Sequence, residues 1–540
     1  MKKLTLSITA LLLAVMLCAC GGGEGGGEKT LKLEGNLWKL TTAEDFNKGT
    51  LENVVVDETV GNGAIKLADG ATEGTFTSAE YEVIDFEYLV ASWNAAIEGN
   101  SSVEIMARAY IVSHKEGEAR DGWTNYLSWG EFGPEIRRAC KDGNEDAEGH
   151  GDKGWAYMNQ DTFCIRGVHG ATKVQFKAIL KKGDNGTSPV LRQISGTTKN
   201  SNKGREITPT YAETPYEGTL PNSVHLKAPA YAQSIRDPDI GGSMCNPTTM
   251  SMMLNARGED LLPEELAMIT LDYDGGVAFG SWSYVTSVAG LYGYEAYAQY
   301  GSVDILMQEL AKGNTMGISV RYSTKPGDKY YLEGAYGDTS GHLISIIGYE
   351  YEAGHEGDMD YLYFISGDSY SPSDANSFHR YKWAHLQKAW ANPVCYVVSA
   401  QKEVTGTVGT ERFDATLEKQ DDGTYALMAD GKQVDLTGFC ASKKSKFGAG
   451  VIGYTVEGVK TDVSKDLQDR KYSINYDNAL QVTANDTWFD LSCVSKTIAL
   501  DLDQLLANAE VKSGETRTMT FYFACSNGKM YIAKLEATKA

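Results

Sequence analysis

The sequence predicts a multidomain, β-rich chain: an N-terminal β-sandwich, a central α+β domain and a small C-terminal β domain. Three observations predict it. Segments early and late in the chain alternate apolar and polar residues with period two, while the middle shows helix start and stop signals followed by apolar, strand-like runs. The composition is one of strands and turns, with 58 Gly, 31 Tyr and 9 Trp against only 12 Pro. The length of 540 residues is a prior for about three or four domains at roughly 150 residues each.

With 42% hydrophobic and 23% charged residues, the chain is ordinary for globular proteins, which excludes a mostly disordered one. The formal net charge of −22 disfavours nucleic acid as a partner, and none is expected, because an acidic surface repels phosphate backbones. No basic stripe with interleaved aromatics offsets this; Lys443, Lys444 and Lys446 read as a solvated turn.

The first element, 1–20, reads as a targeting signal. Lys2 and Lys3 form a positive start, and Leu4 to Leu17 form an apolar core too short to span a bilayer stably. Leu17-Cys18-Ala19-Cys20 resembles the bacterial lipobox, which implies cleavage before Cys20 and lipid attachment to its sulfur. Cys18 is excluded by the same rule, because Val15, Met16 and Leu17 are the wrong types before it. Plain secretory cleavage is the alternative. Two or more acyl chains anchor a protein stably, and the Gly-rich stretch 21–29 reads as a flexible tether. The expectation is an exported, membrane-anchored lipoprotein of the cell envelope, on the outer face or facing the periplasm.

Seven cysteines follow Cys20: Cys140, Cys164, Cys245, Cys395, Cys440, Cys493 and Cys525. An odd number leaves at least one thiol unpaired unless it bridges to another chain. Disulfides are permitted in an exported protein without being required. No C-x-x-C spacing points to zinc.

The sandwich is placed at 30–195, on the alternation of Val103, Ile105, Ala107, Ala109 and Ile111 and of Val174, Phe176, Ala178 and Leu180. Residues 196–216 read as a linker, since Gly196 to Pro209 is polar and aperiodic. The central domain, 217–402, shows predicted helices at Pro263 to Leu271, with Pro at the start, and at Ser302 to Lys312, stopped by Gly313. The runs His342 to Tyr349 and Tyr361 to Ser366 then read as buried strands. The region 403–540 returns to strands, with Met519, Phe521 and Phe523 alternating and a further strand at Trp488 to Leu491.

The chemistry gathers in the central domain. In Gly241-Gly242-Ser243-Met244-Cys245-Asn246-Pro247, a helix begins near Asn246 or Pro247, because Met250, Met253 and Leu254 share a face. Cys245 then sits at a helix N-terminus, where the dipole and unpaired N–H groups favour thiolate over thiol. A buried cysteine acting as a small hydrophobe is the alternative. His342 heads an apolar strand, the position of a base facing a cleft, or simply a strand cap. Asp368, at the exit of the next strand, can accept from the imidazole and fix its tautomer; Asp360 and Asp374 are the alternatives. His355, His379 and His385 lie among polar residues and read as solvated.

Together these residues resemble the peptidase family 39-like, papain-fold cysteine peptidases, related to the bacteriocin leader peptidases that cut after double glycine. The resemblance covers roughly Leu226 to Val398 and rests on Gln233-Ser234, Gly-Gly-Ser-Met-Cys-Asn-Pro-Thr, Ser-Gly-His-Leu, Gly-Asp and the Tyr381 to Trp390 segment. The Trp93-Asn94 pair, the Trp129 segment and Asn159-Gln160-Asp161 resemble the β-sandwich often fused ahead of this domain. The resemblance implies a papain-like central domain with Cys245 as nucleophile, His342 as general base and acid, and Asp368 orienting His342. It implies that Gln233 donates to the oxyanion together with the backbone N–H of Cys245. Two positions depart from the family's pattern. Asn246 stands where Gly or Ser is usual, and Ser369 where Pro is usual.

The expected function is therefore hydrolysis of a peptide or isopeptide bond, in a peptide or cell-wall-type substrate, with neither cofactor nor metal. Asp142, Asn144 and Asp146 imitate a calcium loop, but Ala147 stands where Gly is required. The alternatives are a binding or adhesion lipoprotein with an inactive papain-like domain, or a transglutaminase-like acyl transferase. Glycan or protein contact by the β domains belongs to the first of these.

Overall fold

The computed structural model describes residues 31–113, 121–139, 154–167, 169–200, 215–229, 231–235, 241–271, 279–372, 374–409, 411–434, 449–458, 489–492, 497–525 and 529–540. Cys20 with its signal and tether, most of the linker, the calcium-like loop and the Lys443 turn lie outside them. So do Cys140, Cys440, Cys493 and Trp488. The protein is mostly β and multidomain, built on four sheets among the described residues. No described helix is long and apolar enough to cross a membrane.

Two sheets occupy the N-terminal region, of nine and seven strands. The strand Ser102–Val112 buries Val103, Ile105, Ala107, Ala109 and Ile111 and turns the intervening side chains outward, as period two requires. It pairs antiparallel along the whole of Gly170–Lys181. In the second sheet the strand Tyr88–Ala96 behaves differently: Leu89 to Ala95 are all buried. One face meets the first sheet and the other meets the central region, so that a single apolar core runs through both.

The expected linker begins too early. Gly196 to Lys199 continue the strand Val190–Lys199, paired with Ala91 to Tyr88 and, through Gly196 and Thr197, with Trp38 and Leu37. Their polarity misled the sequence reading. Thr197 Oγ1 donates to the carbonyl of Asn36 at 2.8 Å, so the hydroxyl is satisfied inside the sheet.

The central region carries one antiparallel seven-stranded sheet. Its strands run in the order Tyr294–Tyr300, Val394–Lys402, Thr315–Tyr322, Thr339–Tyr351, Leu362–Gly367, Phe378–Lys382, with Ser223–His225 beside Thr339–Tyr351. The predicted helices appear as Pro263–Thr270 and Val303–Ala311, the latter capped by Ser302 and stopped at Gly313 with φ +87°. The helix Cys245–Asn255 packs across the Thr339–Tyr351 strand, with Thr249 Oγ1 donating to the carbonyl of Leu343 at 2.8 Å. Gly367 allows this approach: a Cβ there would lie 2.6 Å from Met252 Sδ. Met252 shares a small buried cluster with Tyr231, Leu262 and Met530, the last from the eight-stranded C-terminal sheet.

The N-terminal region is locked to the central one through Asn94. Its Nδ2 donates to the carbonyls of Thr286 (3.2 Å) and Ala296 (3.0 Å), and its Oδ1 accepts the N–H of Ala296 at 2.9 Å. Phe132 packs on Tyr284 with centroids 4.8 Å apart. Asn94→Ala removes the acceptor of the Ala296 N–H, while the Ala296 carbonyl keeps Gln193 Nε2 at 3.1 Å, so the cost is about 1–3 kcal/mol for the one unsatisfied group. A drop of several degrees in the thermal midpoint is expected by calorimetry; an unchanged midpoint contradicts the lock.

Candidate active site

The helix Cys245–Asn255 starts one residue earlier than its periodicity suggests, so Cys245 is its first residue. Pro247 in the first turn has no N–H to leave unsatisfied, and its fixed φ suits a helix start. The sequence read this correctly apart from that one position. Cys245 is partly buried, with a free thiol. Across from it the strand Thr339–Tyr351 brings in His342, which is 4% exposed.

Asp368 follows the strand Leu362–Gly367 and is 1% exposed. His342 Nε2 lies 2.9 Å from Asp368 Oδ1, and the N–H of Tyr370 donates to the same oxygen at 3.0 Å. Asp368 Oδ2 accepts from the hydroxyls of Tyr322 (3.0 Å) and Tyr381 (2.9 Å). With Nε2 so engaged, Nδ1 is the ring nitrogen left for the hydrogen bond that His342 makes with Cys245.

The alternative aspartates are elsewhere. Asp374 Oδ1 accepts the N–H of Ala232 at 2.6 Å, and Asp360 lies exposed in a 3-10 turn. His379 was expected in solvent. Instead it stacks on Tyr381 at 4.9 Å and meets Ser371 Oγ at 3.1 Å, because its strand, Phe378–Lys382, lies next to the one that leads into Asp368.

The charges are strongly coupled. Burial raises the pKa of Cys245, but the hydrogen bond and charge of His342, with the backbone N–H groups of Leu343 and Asn246, outweigh it and hold the thiol below its ordinary range. Burial would lower His342; the charge and hydrogen bond of Asp368, then Cys245, carry it up to about 10. Burial raises Asp368, yet the imidazole beside it keeps its carboxyl below the usual carboxylate value. The three residues favour a thiolate, an imidazolium and a carboxylate in a row.

Gln233 sits in a short 3-10 turn and is buried. Its backbone N–H donates to the carbonyl of Ser369 at 2.8 Å, its Oε1 accepts from Ser369 Oγ at 2.7 Å, and its Nε2 donates to the carbonyl of Gly241 at 3.0 Å. An amide nitrogen carries two N–H groups, and Gln233 lines the same cavity as Cys245. The two departures from the family's pattern therefore have structural roles. Ser369 orients Gln233, which proline could not do by a side-chain hydroxyl. Asn246 Nδ2 donates to the carbonyls of Phe279 and Ser281, each at 3.2 Å, and holds the loop beside Cys245.

The cavity over Cys245 measures about 790 Å³. Gly242 and Gly341 line it, and a Cβ on either would meet nothing within 4 Å, so the cleft is open beside the Cys–His pair. Cys245, His342, Asp368 and Gln233, the four residues expected from the sequence, lie together at this cleft. Tyr322 is marked by no motif, and Tyr381 stood out only as the start of the segment shared with the family, not as a partner of Asp368. Sequence reasoning also missed that the turn at 159–162 of the N-terminal region lines this cavity, although Asn159-Gln160-Asp161 stood out for another reason. The other two described thiols with no disulfide, Cys164 and Cys395, are buried, and burial pushes Cys164 up to about 11 and Cys395 still higher.

Compared with known families, residues 225–398 match the Peptidase_C39 like family and residues 36–198 match the Peptidase C39 N-terminal domain. No curated protein matches the chain.

Proposed function

With residues 225–398 a member of the Peptidase_C39 like family, joined to a Peptidase C39 N-terminal domain, we propose that the chain is an active cysteine hydrolase cleaving peptide or isopeptide bonds through Cys245, His342 and Asp368 on a papain-like core. The observation that carries this reading is the 2.9 Å contact of His342 Nε2 with Asp368 Oδ1 in the cleft that His342 shares with Cys245, whose thiol the imidazole holds low.

The thiolate of Cys245 attacks the substrate carbonyl and forms the C–S bond. The oxyanion that develops takes the remaining N–H of Gln233 and the backbone N–H of Cys245. His342 gives its Nδ1 proton to the leaving amine as the C–N bond breaks, which leaves a thioester. Neutral His342 then takes a proton from water, whose oxygen attacks the thioester and releases the acid and the thiolate. Asp368 holds the imidazole by Nε2 throughout.

The N-terminal region forms a β-sandwich fused to this core. The lipobox at Cys20 supports an exported protein tethered to a membrane, acting on peptide or cell-wall-type substrates within reach of the tether.

The test is peptide hydrolysis followed against pH. The reactive ion pair exists above the lowered pKa of Cys245 and below the raised pKa of His342. The value of kcat/KM is expected to form a plateau across neutral pH, falling on the basic side near 10 and on the acid side well below the free-thiol value of about 8.5. An acid limb at the free-thiol value contradicts the reading. Product analysis with added amine separates hydrolysis from transfer: dominant amide product makes the chain a transferase.

A further inference from the structure

The cleft over Cys245 is not built by the peptidase region alone. Asn159, Gln160 and Thr162 line the same cavity as Cys245 and His342. They belong to the hairpin of Ala156–Asn159 and Thr162–Ile165, at the edge of the seven-stranded N-terminal sheet.

This turn is held firmly against the peptidase region. Gln160 adopts φ +55°, which sets the turn. Asp161 points inward and is buried: Tyr396 donates its hydroxyl to Asp161 Oδ2 at 2.7 Å, and the backbone N–H of Ser283 also bonds the carboxyl. Trp129 Nε1 donates to the carbonyl of Asp161 at 2.7 Å. The charged residue of the turn is thus used for docking, while Asn159 and Gln160 are exposed to the cleft.

We infer that this turn is a substrate subsite, in which Asn159, Gln160 and Thr162 receive an uncharged, hydrogen-bonding stretch of an extended peptide. The inference rests on the peptidase reading and deepens it. Two carboxamides and a hydroxyl offer both donors and acceptors and no net charge. Main-chain amides and side chains such as Gln, Asn and Ser can replace the water on these groups. An apolar side chain displaces that water and returns no hydrogen bond. The N-terminal region is then a specificity element of the enzyme rather than a separate binding module.

The test uses the purified full chain and two peptidyl chloromethyl ketones of equal length, one rich in Gln and Ser, the other with Leu at those positions. Their rates of Cys245 alkylation are each normalised to iodoacetamide alkylation of the same protein. Wild type is expected to prefer the polar peptide by roughly tenfold, about the worth of one hydrogen-bonding group. Asn159→Ala and Gln160→Gly are each expected to lower the ratio, and the double variant to bring it close to one. Glycine suits the φ of position 160, so the second variant keeps the turn while removing the side chain. A ratio unchanged in both variants, or a wild-type preference for Leu, overturns the subsite and leaves the peptidase reading standing. A Cys245 inert to iodoacetamide at neutral pH overturns both, and is recognised by that control.

Discussion

His342→Ala is expected to lower peptide turnover by about 10⁴–10⁶-fold, the scale seen when the base of a nucleophile–base pair is removed. The variant loses two things together. The thiol loses the imidazolium that offsets its burial, so its pKa rises through the ordinary range. The leaving amine loses its proton donor. The small side chain leaves a gap next to Leu343, but the strand Thr339–Tyr351 is held by Thr315–Tyr322 on one side and Leu362–Gly367 on the other, so the fold is expected to survive. Near-UV circular dichroism checks that, and peptide turnover measures the effect. Activity within tenfold of wild type contradicts the role given to His342.

Asp368→Ala is expected to cost both stability and activity. The carboxylate accepts from His342, from the N–H of Tyr370 and from the hydroxyls of Tyr322 and Tyr381. Removing it leaves donors buried without an acceptor, at about 1–3 kcal/mol for each unsatisfied group. Tyr322 and Tyr381 cannot ionise instead, because burial and the neighbouring carboxylate both push their pKa values up. Asp368→Asn separates the two effects. It keeps the shape and an acceptor oxygen, so most of the stability should return. Turnover should stay down by about 10⁴-fold, as when a triad carboxylate becomes an amide. Denaturant midpoints and kcat read the two quantities apart. An Asn variant with near-native kcat contradicts the orienting role.

Much of the fold and most of the site were legible in the sequence. Alternation along Ser102–Val112 and Gly170–Lys181 is visible because each strand has one buried face. Pro263, Ser302 and Gly313 mark helix ends by local chemistry. The helix Ser283–Leu291 was not visible, because all its residues are buried between the N-terminal region and the central sheet. Its Ser283, Thr286 and Ser287 share one face but are buried with the rest, their hydroxyls bonded to backbone carbonyls, so no solvent-facing side marks the helix. Gly196 to Lys199 failed for a related reason: threonines in a buried strand look like a linker until their partners are known.

At the site, Cys245 and His342 announce themselves by position on a helix start and a strand head. Gln233 was legible only through the family resemblance. The contacts of Tyr322 and Tyr381 with Asp368 were not legible, since a hydroxyl aimed at a carboxylate 46 or 13 residues away leaves no local trace. The turn at 159–162 is held at the cleft by Asp161 docking on Tyr396 and Ser283, contacts between regions that sequence spacing does not encode.

The most direct measurement is the pH dependence of iodoacetamide alkylation at Cys245, in wild type and in His342→Ala. The thiolate–imidazolium pair predicts that wild-type Cys245 reacts well below the free-thiol pKa of about 8.5 and that the rate in His342→Ala follows an ordinary or raised thiol pKa. A wild-type profile that titrates at or above 8.5, or one indifferent to His342, would show that Cys245 is a buried structural thiol and that the cleft carries no cysteine hydrolase.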